Sequence, residues 1–391
     1  MVIGGAGIWL IRANASAPQT LVADPSPQLS GTGWGTAPPQ NSSGANTRQP
    51  IPSASIFEDR SGKNGSGGAK DTKASAAPDP ATTGKTRVET TSPPAVVPST
   101  GTDAAQLTIR QAYRIHGHYQ KGLSAAQSRL DEVAMGKLEA ELAVEMTRAS
   151  FKTAKMQGES VASGVWPNPQ VWVPRHVEGT PDWFVAVSHE TGIARVVDLM
   201  SSTPAGWRLV ASGADTRAVP PRFPKIATDA EGYATSLPED ATGLVATPRQ
   251  IAGAHLASLE SAKPDPRFED GPWTSEIVQF WQQERAQLEQ AGWILSLSYR
   301  QDGPVRAMRT GDGGALVWYA ARSTDTRMAE RVGAKVTLKG SAAVRTKNKA
   351  FTHSASATYG RMYVTYVPPA GSSEPVRVLG EWSDVLESHG D

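Results

Sequence analysis

The 391-residue sequence contains no cysteine. This absence excludes disulfide bonds, thiolate catalysis, and zinc or iron–sulfur sites built on cysteine. It also excludes a conventional lipoprotein anchor, which is attached to a cysteine at the cleavage point.

An excess of charge of either sign is also missing. Lys and Arg number 39 against 38 Asp and Glu. A nucleic-acid-binding protein normally shows a basic excess. The composition therefore predicts no nucleic acid partner.

The sequence also lacks a hydrophobic run as long as the roughly 20 residues that a membrane-spanning helix needs. The apolar stretch from Val2 to Ile11 ends at Arg12. We interpret residues 1–15 as a partial membrane anchor or a signal segment, with the rest of a span lying upstream. A mildly apolar, disordered N-terminus is the alternative.

Residues 16–103 are rich in Pro, Ser, Thr, Gly and Ala, and they lack apolar periodicity. Such a segment buries too little apolar surface to offset its conformational entropy, which predicts a disordered linker. An apolar start, a polar spacer and then a folded part are typical of a protein at the extracytoplasmic face of a membrane, or of a secreted one.

The remainder divides into two halves, 104–246 and 247–391. Each begins with helical sequence and continues with short runs of β-branched and aromatic residues. This order predicts an α+β fold of two cone-like units in tandem, each with helices on a curved antiparallel sheet.

Several local signals refine this prediction. Thr247 followed by Pro248 predicts the start of a helix, and Gly292 predicts the end of the next one. Gly122 predicts an interruption within the first helical stretch. The GDGG sequence at 311–314 predicts a hairpin turn.

The first helical stretch also contains a stripe of residues on one side of the helix and a histidine pair. The stripe consists of Leu107, Gln111 or Ala112, Ile115 and Tyr119, which recur at helical spacing. His116 and His118 stand two positions apart, so they point to different sides of a helix and do not form a metal pair.

These helices and strands, with the phrase GWRLVASGA at 206–214, resemble actinobacterial extracytoplasmic proteins of unknown function. Those proteins have a tandem nuclear-transport-factor-2-like (cystatin-like) fold behind an N-terminal signal or membrane helix. The resemblance covers about residues 104–386 and implies no catalytic residues. The chain lacks the anchoring cysteine of the lipoprotein members.

No catalytic motif has the context that it needs. The GKT at 84–86 lacks the upstream glycine of a phosphate loop and lies in the linker. The stretch 158–162 approaches a nucleophile elbow, but a helix leads into a strand there. Glu141 and Glu145 predict a solvated helix face. We therefore predict no catalytic residues, no cofactor and no metal site.

Large aromatic side chains are expected between helix and sheet in the second half. They either fill the core, which is the simpler account, or line a small-molecule cleft with two polar neighbours. The candidate binding residues are Trp281, Trp293, Trp318, Tyr319, His353 and Arg300.

The stretch from Lys335 to Lys349 is locally basic. On an exposed hairpin it would meet anionic lipid or a wall polymer. The alternative is an edge strand protected from pairing by its lysines.

Together these features predict a binding or scaffold protein without enzymatic activity, tethered to the membrane by its N-terminus. Its partner would be an unknown small molecule or an envelope protein. One alternative is a cone-fold enzyme with an Asp/His acid–base pair in an apolar cleft. Another is a subunit of a cell-envelope assembly that dimerises through its sheet face.

Overall fold

The structure is a computed structural model. It describes residues 106–161, 163–191, 193–217 and 219–391. The predicted anchor (1–15) and linker (16–103) lie outside the described residues. Within the described ranges, no helix is both long and apolar enough to cross a bilayer.

Each half begins with helices and continues with strands, as predicted, except that a short helix at Gly340–Arg345 lies among the strands of the second half, in a stretch whose sequence predicted a strand. The helices are α1 Ile109–Gln127, α2 Glu132–Met135, α3 Glu141–Gln157, α4 Pro248–Ser261, α5 Ser275–Gln290 and α6 Gly340–Arg345. The strands are β1 Gln170–Trp172, β2 Trp183–Glu190, β3 Ala194–Thr203, β4 Gly206–Asp215, β5 Ser236–Leu237, β6 Trp293–Arg309, β7 Ala315–Ala329, β8 Val336–Thr337, β9 Ala350–Phe351, β10 Ser354–Val367 and β11 Arg377–Gly390.

Nine strands form one strongly curled antiparallel sheet, a half-barrel, in the order β1-β2-β3-β4-β11-β10-β7-β6-β5. Strands β8 and β9 pair separately. The α+β class and the curled antiparallel sheet are thus confirmed. The strands of both halves belong to a single sheet.

The two groups of strands meet where β4 crosses β11, at the register pair Ala214 and Glu381. Glycines make this approach possible. A Cβ at position 380 would lie 2.8 Å from the Ala214 nitrogen, and a Cβ at position 213 would lie 2.6 Å from Val364 Cγ2. Both distances are too short for any side chain.

Two hydrophobic cores lie on opposite faces of the long strands. The first core packs beneath α1 and α3 and includes Leu123, Phe184, Leu199, Trp318 and Met362. The second core packs beneath α4 and α5 and includes Ile251, Trp281, Trp293, Tyr319 and Tyr363. Because side chains alternate along a strand, β7 and β10 contribute to both cores.

The helix boundaries of the second half agree with the sequence. Thr247 caps α4 in a capping box with Gln250, and Pro248 is the first helical residue. Helix α5 ends at Gln290, and Gly292 adopts the left-handed conformation with φ of 81°. The hairpin turn at 311–314 is also present, between β6 and β7.

Two local predictions were wrong. Helix α1 runs through Gly122 without a break, because the glycine is needed for contact: a Cβ there would lie 2.8 Å from Leu138 Cδ2. The apolar runs at 293–300 and 304–310 predicted two strands, but they form the continuous strand β6, whose register shifts between Asp302 and Arg306. The shift lies at the junction of the two runs.

Helix α3 is attached to the second-half strands by ion pairs. Arg322 on β7 binds both carboxylate oxygens of Glu145, at 2.9 and 2.8 Å, and its Nε donates to Asp302 at 2.7 Å. Arg306 on β6 donates to Glu141 at 3.2 Å. The two carboxylates expected on a solvated face therefore join α3 to the sheet.

Candidate functional site

A cavity of about 530 Å³ opens between α1 and the hairpin formed by β3 and β4. Its size lies within the range of small-molecule sites. The described residues that line it are Leu107, Gln111, Arg114, Ile115, His118, Tyr119, Lys137, Leu138, Met200, Trp207 and Arg208.

Helix α1 supplies one wall through residues spaced by three or four positions. The stripe of Leu107, Gln111, Ile115 and Tyr119 that predicted a helix borders the cavity. The start of the helix is fixed by a capping box, in which Thr108 accepts from the Gln111 amide. This stripe therefore has a defined position along the cavity wall.

Leu138 supplies the second wall and is held from two sides. It packs against Gly122 of α1, and its carbonyl accepts from the Leu209 amide at 3.0 Å. The Ala140 amide donates back to the Leu209 carbonyl at 2.9 Å. The segment after α2 is thus fastened to β4, which holds Leu138 and Lys137 at the opening.

The β3–β4 hairpin supplies the third wall. Gly206 has φ of 97°, a conformation that favours glycine, and it brings Trp207 to the opening. The Trp207 ring lies 5.4 Å from the ring of Phe184, which is buried in the first core. Arg208 Nη1 donates to the Trp207 backbone carbonyl at 2.8 Å, which holds the guanidinium against the backbone at the start of β4.

The rim of the cavity is cationic and its floor is apolar. Arg114, Lys137 and Arg208 line it, and no Asp or Glu is among the described lining residues. None of the three forms an ion pair with another described residue. The Glu139 carboxylate, which does not line the cavity, accepts from the hydroxyl of the lining residue Tyr119 at 3.2 Å. Cations on the lining attract an anion, and the apolar floor accepts hydrocarbon.

The two histidines of α1 have separate environments. His118 is exposed on the cavity rim. His116 is buried, and its Nε2 lies 3.2 Å from Asp198 Oδ2, while Ser212 Oγ donates to Asp198 Oδ1 at 2.7 Å. Neither His116 nor Asp198 lines the cavity. The described residues contain no group of three or more His, Asp or Glu placed to hold a metal ion.

The candidate residues from the sequence are distributed over the molecule. Trp281, Trp293 and Tyr319 are buried in the second core, and Trp318 is buried in the first. Arg300 and His353 are exposed. These six residues do not form one cleft.

A second cavity, of about 710 Å³, lies beside the segment 222–228. Its three cations, Arg222, Lys225 and Arg377, are accompanied by the carboxylates of Asp312 and Glu374. Asp312 accepts from the Tyr366 hydroxyl at 2.7 Å. Unlike the first cavity, this one has carboxylates among its described lining residues.

An ion pair is buried in the second core. Arg361 Nη1 donates to Glu381 Oε1 at 2.8 Å, and its Nε donates to Ser323 Oγ at 2.7 Å. Burial raises the pKa of Glu381 above its usual range, and Arg361 opposes that shift. Neither charged residue lines either cavity.

A neutral histidine lies in the same core. His255 Nε2 donates to the Trp273 carbonyl at 2.7 Å, so Nδ1 accepts from the Tyr319 hydroxyl at 2.8 Å. Burial lowers the pKa of His255 to about 4, although the Trp273 carbonyl favours the charged form. The imidazole is therefore neutral at pH 7, and its two ring nitrogens are satisfied.

Part of the cavity has a signal in the sequence. The stripe of α1 and the Trp207-Arg208 pair were visible, but the first predicted only a helix and the second entered only through the family resemblance. The cationic rim was missed, because Arg114, Lys137 and Arg208 are far apart in the chain and only the fold brings them together.

Comparison with known proteins gives one family. Residues 104–390 match the family model described as a domain of unknown function (DUF8094). No curated protein and no solved structure matches the chain. Because the matched region spans most of the 391 residues, the chain belongs to the DUF8094 family.

Proposed function

We propose that this protein is a binding protein that takes an amphiphilic anion into the cavity beneath α1. The observation behind the proposal is the combination of an apolar floor with three lining cations and no carboxylate among the described lining residues. Hydrocarbon would occupy the floor formed by residues such as Ile115 and Leu138. A carboxylate or phosphate head group would lie at the rim.

The rim favours a head group with several acceptor oxygens. Arg208 lines the cavity, and a guanidinium carries several donors that suit the oxygens of a carboxylate or phosphate. Arg114 and Lys137 add charge from the other two walls. Hydrogen bonds to charged groups contribute about 1.5–3 kcal/mol each, so the head group would dominate selectivity.

Binding without chemistry is the simpler proposal for this cavity. His118 is the one imidazole among its described lining residues, and no Asp, Glu, Ser or Thr accompanies it there. A general acid–base mechanism requires a partner within hydrogen-bond distance of the reacting group.

An enzyme with an Asp/His acid–base pair is the second candidate. The observation in its favour is the contact between His116 and Asp198, which share a buried position under α1. A substrate would reach this pair only after α1 moved, because His116 is 1% exposed. We therefore rank catalysis below binding.

We further propose that the protein acts at the extracytoplasmic face of a membrane, tethered through residues 1–15 and the linker. The order of those segments supports this location. The two halves, each with helices before strands, support a tandem nuclear-transport-factor-2-like ancestry within the single sheet. A protein partner in a cell-envelope assembly is the alternative to a small ligand.

The test is calorimetric titration of the full chain with three compounds of equal chain length, a carboxylate, an alcohol and a trimethylammonium salt. Each is used below its micelle concentration. The carboxylate should bind at least about tenfold more tightly than the others, as one lost charge-assisted hydrogen bond predicts. Equal affinity for the three head groups would contradict the proposal.

Variants assign the binding to the cavity. Arg114→Gln combined with Arg208→Gln should weaken carboxylate binding by at least about tenfold. Arg110→Gln is the matched control, since Arg110 is exposed on α1 but does not line the cavity. If the control weakens binding as much as the double variant, the ligand lies elsewhere.

A further inference from the structure

Three apolar side chains are exposed together at one end of the sheet. Ile294 is 47% exposed, Met328 is 50% exposed, and Val332 is fully exposed. Ile294 and Met328 face each other across β6 and β7. The Arg331 amide donates to the Gly292 carbonyl, which places Val332 beside the start of β6.

The segment that follows β7 is basic. The stretch 330–349 contains six Lys or Arg and a single acid, Glu330. Lys335, Lys347 and Lys349 are exposed, and none of them forms an ion pair with another described residue.

Backbone contacts connect the lysines to the apolar group. Strand β8 begins one residue after Lys335 and pairs with β9, which begins one residue after Lys349. The Ala329 amide, next to Met328, donates to the His353 carbonyl at 2.9 Å. Lys335, Lys347 and Lys349 therefore lie on the segments that adjoin the end of β7.

We propose that this surface docks the folded part of the protein on an anionic lipid bilayer. We call it the basic end surface, and it consists of Ile294, Met328, Val332, Lys335, Lys347 and Lys349. The apolar side chains enter the interface between head groups and hydrocarbon, and the lysines contact the anionic head groups.

The apolar side chains decide between a bilayer and a soluble polyanion. Lysines bind a bilayer and a soluble polyanion equally well, because both are anionic. Only a bilayer also has an apolar region in which Val332, Ile294 and Met328 can be buried. This surface is separate from the cavity, so the proposal does not depend on the proposed ligand.

Because the chain contains no cysteine, a single introduced cysteine can be labelled specifically in the full chain, and its label reports whether that position contacts a bilayer. A Val332→Cys variant is labelled with an environment-sensitive fluorophore and titrated with phosphatidylglycerol–phosphatidylcholine vesicles. Val219→Cys is the control, because Val219 is also largely exposed but lies outside the surface. The label at 332 should shift to shorter wavelength with anionic vesicles, and the label at 219 should not.

The contribution of the lysines is measured with the same label. Lys335→Gln, Lys347→Gln and Lys349→Gln together should weaken the response to anionic vesicles on the order of 100-fold, from about 1 kcal/mol per lysine. The matched control replaces Lys121, Lys152 and Lys263, which changes the net charge equally. Because the label reports insertion at its own position, an N-terminal anchor in the same chain does not obscure the result.

Three results would overturn the proposal. The first is no shift at 332, or an equal shift at 332 and 219. The second is equal weakening by the two lysine triples. The third is a response at 332 to a soluble polyanion such as polyphosphate that matches the response to vesicles, which would assign the surface to a polymer.

Discussion

Trp318 and Tyr319 are consecutive residues of β7, yet they belong to different cores. The Trp318 ring lies 6.0 Å from the Trp183 ring in an edge-on arrangement within the first core. The Tyr319 hydroxyl lies 2.8 Å from His255 in the second core. One strand therefore couples the packing beneath α1 to the packing beneath α4.

This coupling predicts a single unfolding transition for the folded part. Trp318→Ala should destabilise it by about 3–5 kcal/mol, as large aromatic truncations in cores do. Tyr319→Phe, which removes only the hydroxyl, should cost about 1–2 kcal/mol. Urea unfolding followed by tryptophan fluorescence and by circular dichroism measures both. The contrary result is two separate transitions, with each variant shifting only one of them. It would show that the two cores unfold independently.

The crossing of β4 and β11 predicts a strict requirement for glycine. Gly380→Ala should lower the free energy of unfolding by about 1–3 kcal/mol, because its Cβ would overlap the backbone of Ala214. Gly253→Ala is the matched control. It lies in α4 with nothing within 4 Å of an added Cβ, so it should stabilise by up to about 1 kcal/mol. Thermal unfolding of both variants gives the comparison, and equal midpoints would refute the argument.

The buried pair of Arg361 and Glu381 predicts strong coupling between the two residues. Arg361→Met alone should cost about 3–5 kcal/mol, because it leaves the Glu381 carboxylate buried without its cation. The double variant Arg361→Met, Glu381→Leu should lose less free energy of unfolding than Arg361→Met alone, because neither charge remains buried. A double-mutant cycle measured by urea unfolding tests this. Additive losses would show that the pair is not coupled.

His255 predicts a loss of stability in acid. Its pKa is about 4 in the folded protein against 6.5 in the unfolded chain. Between these values the unfolded state binds more protons, so the free energy of unfolding rises with pH. The full shift corresponds to about 3 kcal/mol, present above pH 6.5 and lost as the pH falls towards 4.

The measurement is urea unfolding at pH 7 and at pH 4.5, for the wild type and for His255→Gln. Glutamine does not titrate, so the variant should lose about 2 kcal/mol less than the wild type over this range. The difference between the two pH values is diagnostic even if the variant is less stable at both. Parallel pH profiles would mean that another group causes the acid sensitivity.

Local features of the fold were predictable where neighbouring residues decide them. Thr247 and Gly292 mark helix boundaries through hydrogen bonds and backbone angles within a few residues. The alternation of residues in β6 and β7 predicted strands for the same reason. Gly122 misled the prediction because its role is a contact with Leu138, sixteen positions away, which propensity does not include.

The sequence by itself determined the α+β class, the position of helices at the start of each half, and the balance of charge, because these follow from composition and periodicity. Only the tertiary structure decided which faces meet. It placed Trp318 and Tyr319 in separate cores, joined both groups of strands through Gly213 and Gly380, and gathered the cationic rim around Arg208. Those outcomes depend on sheet curvature and long-range packing, which bring together residues that no local pattern connects.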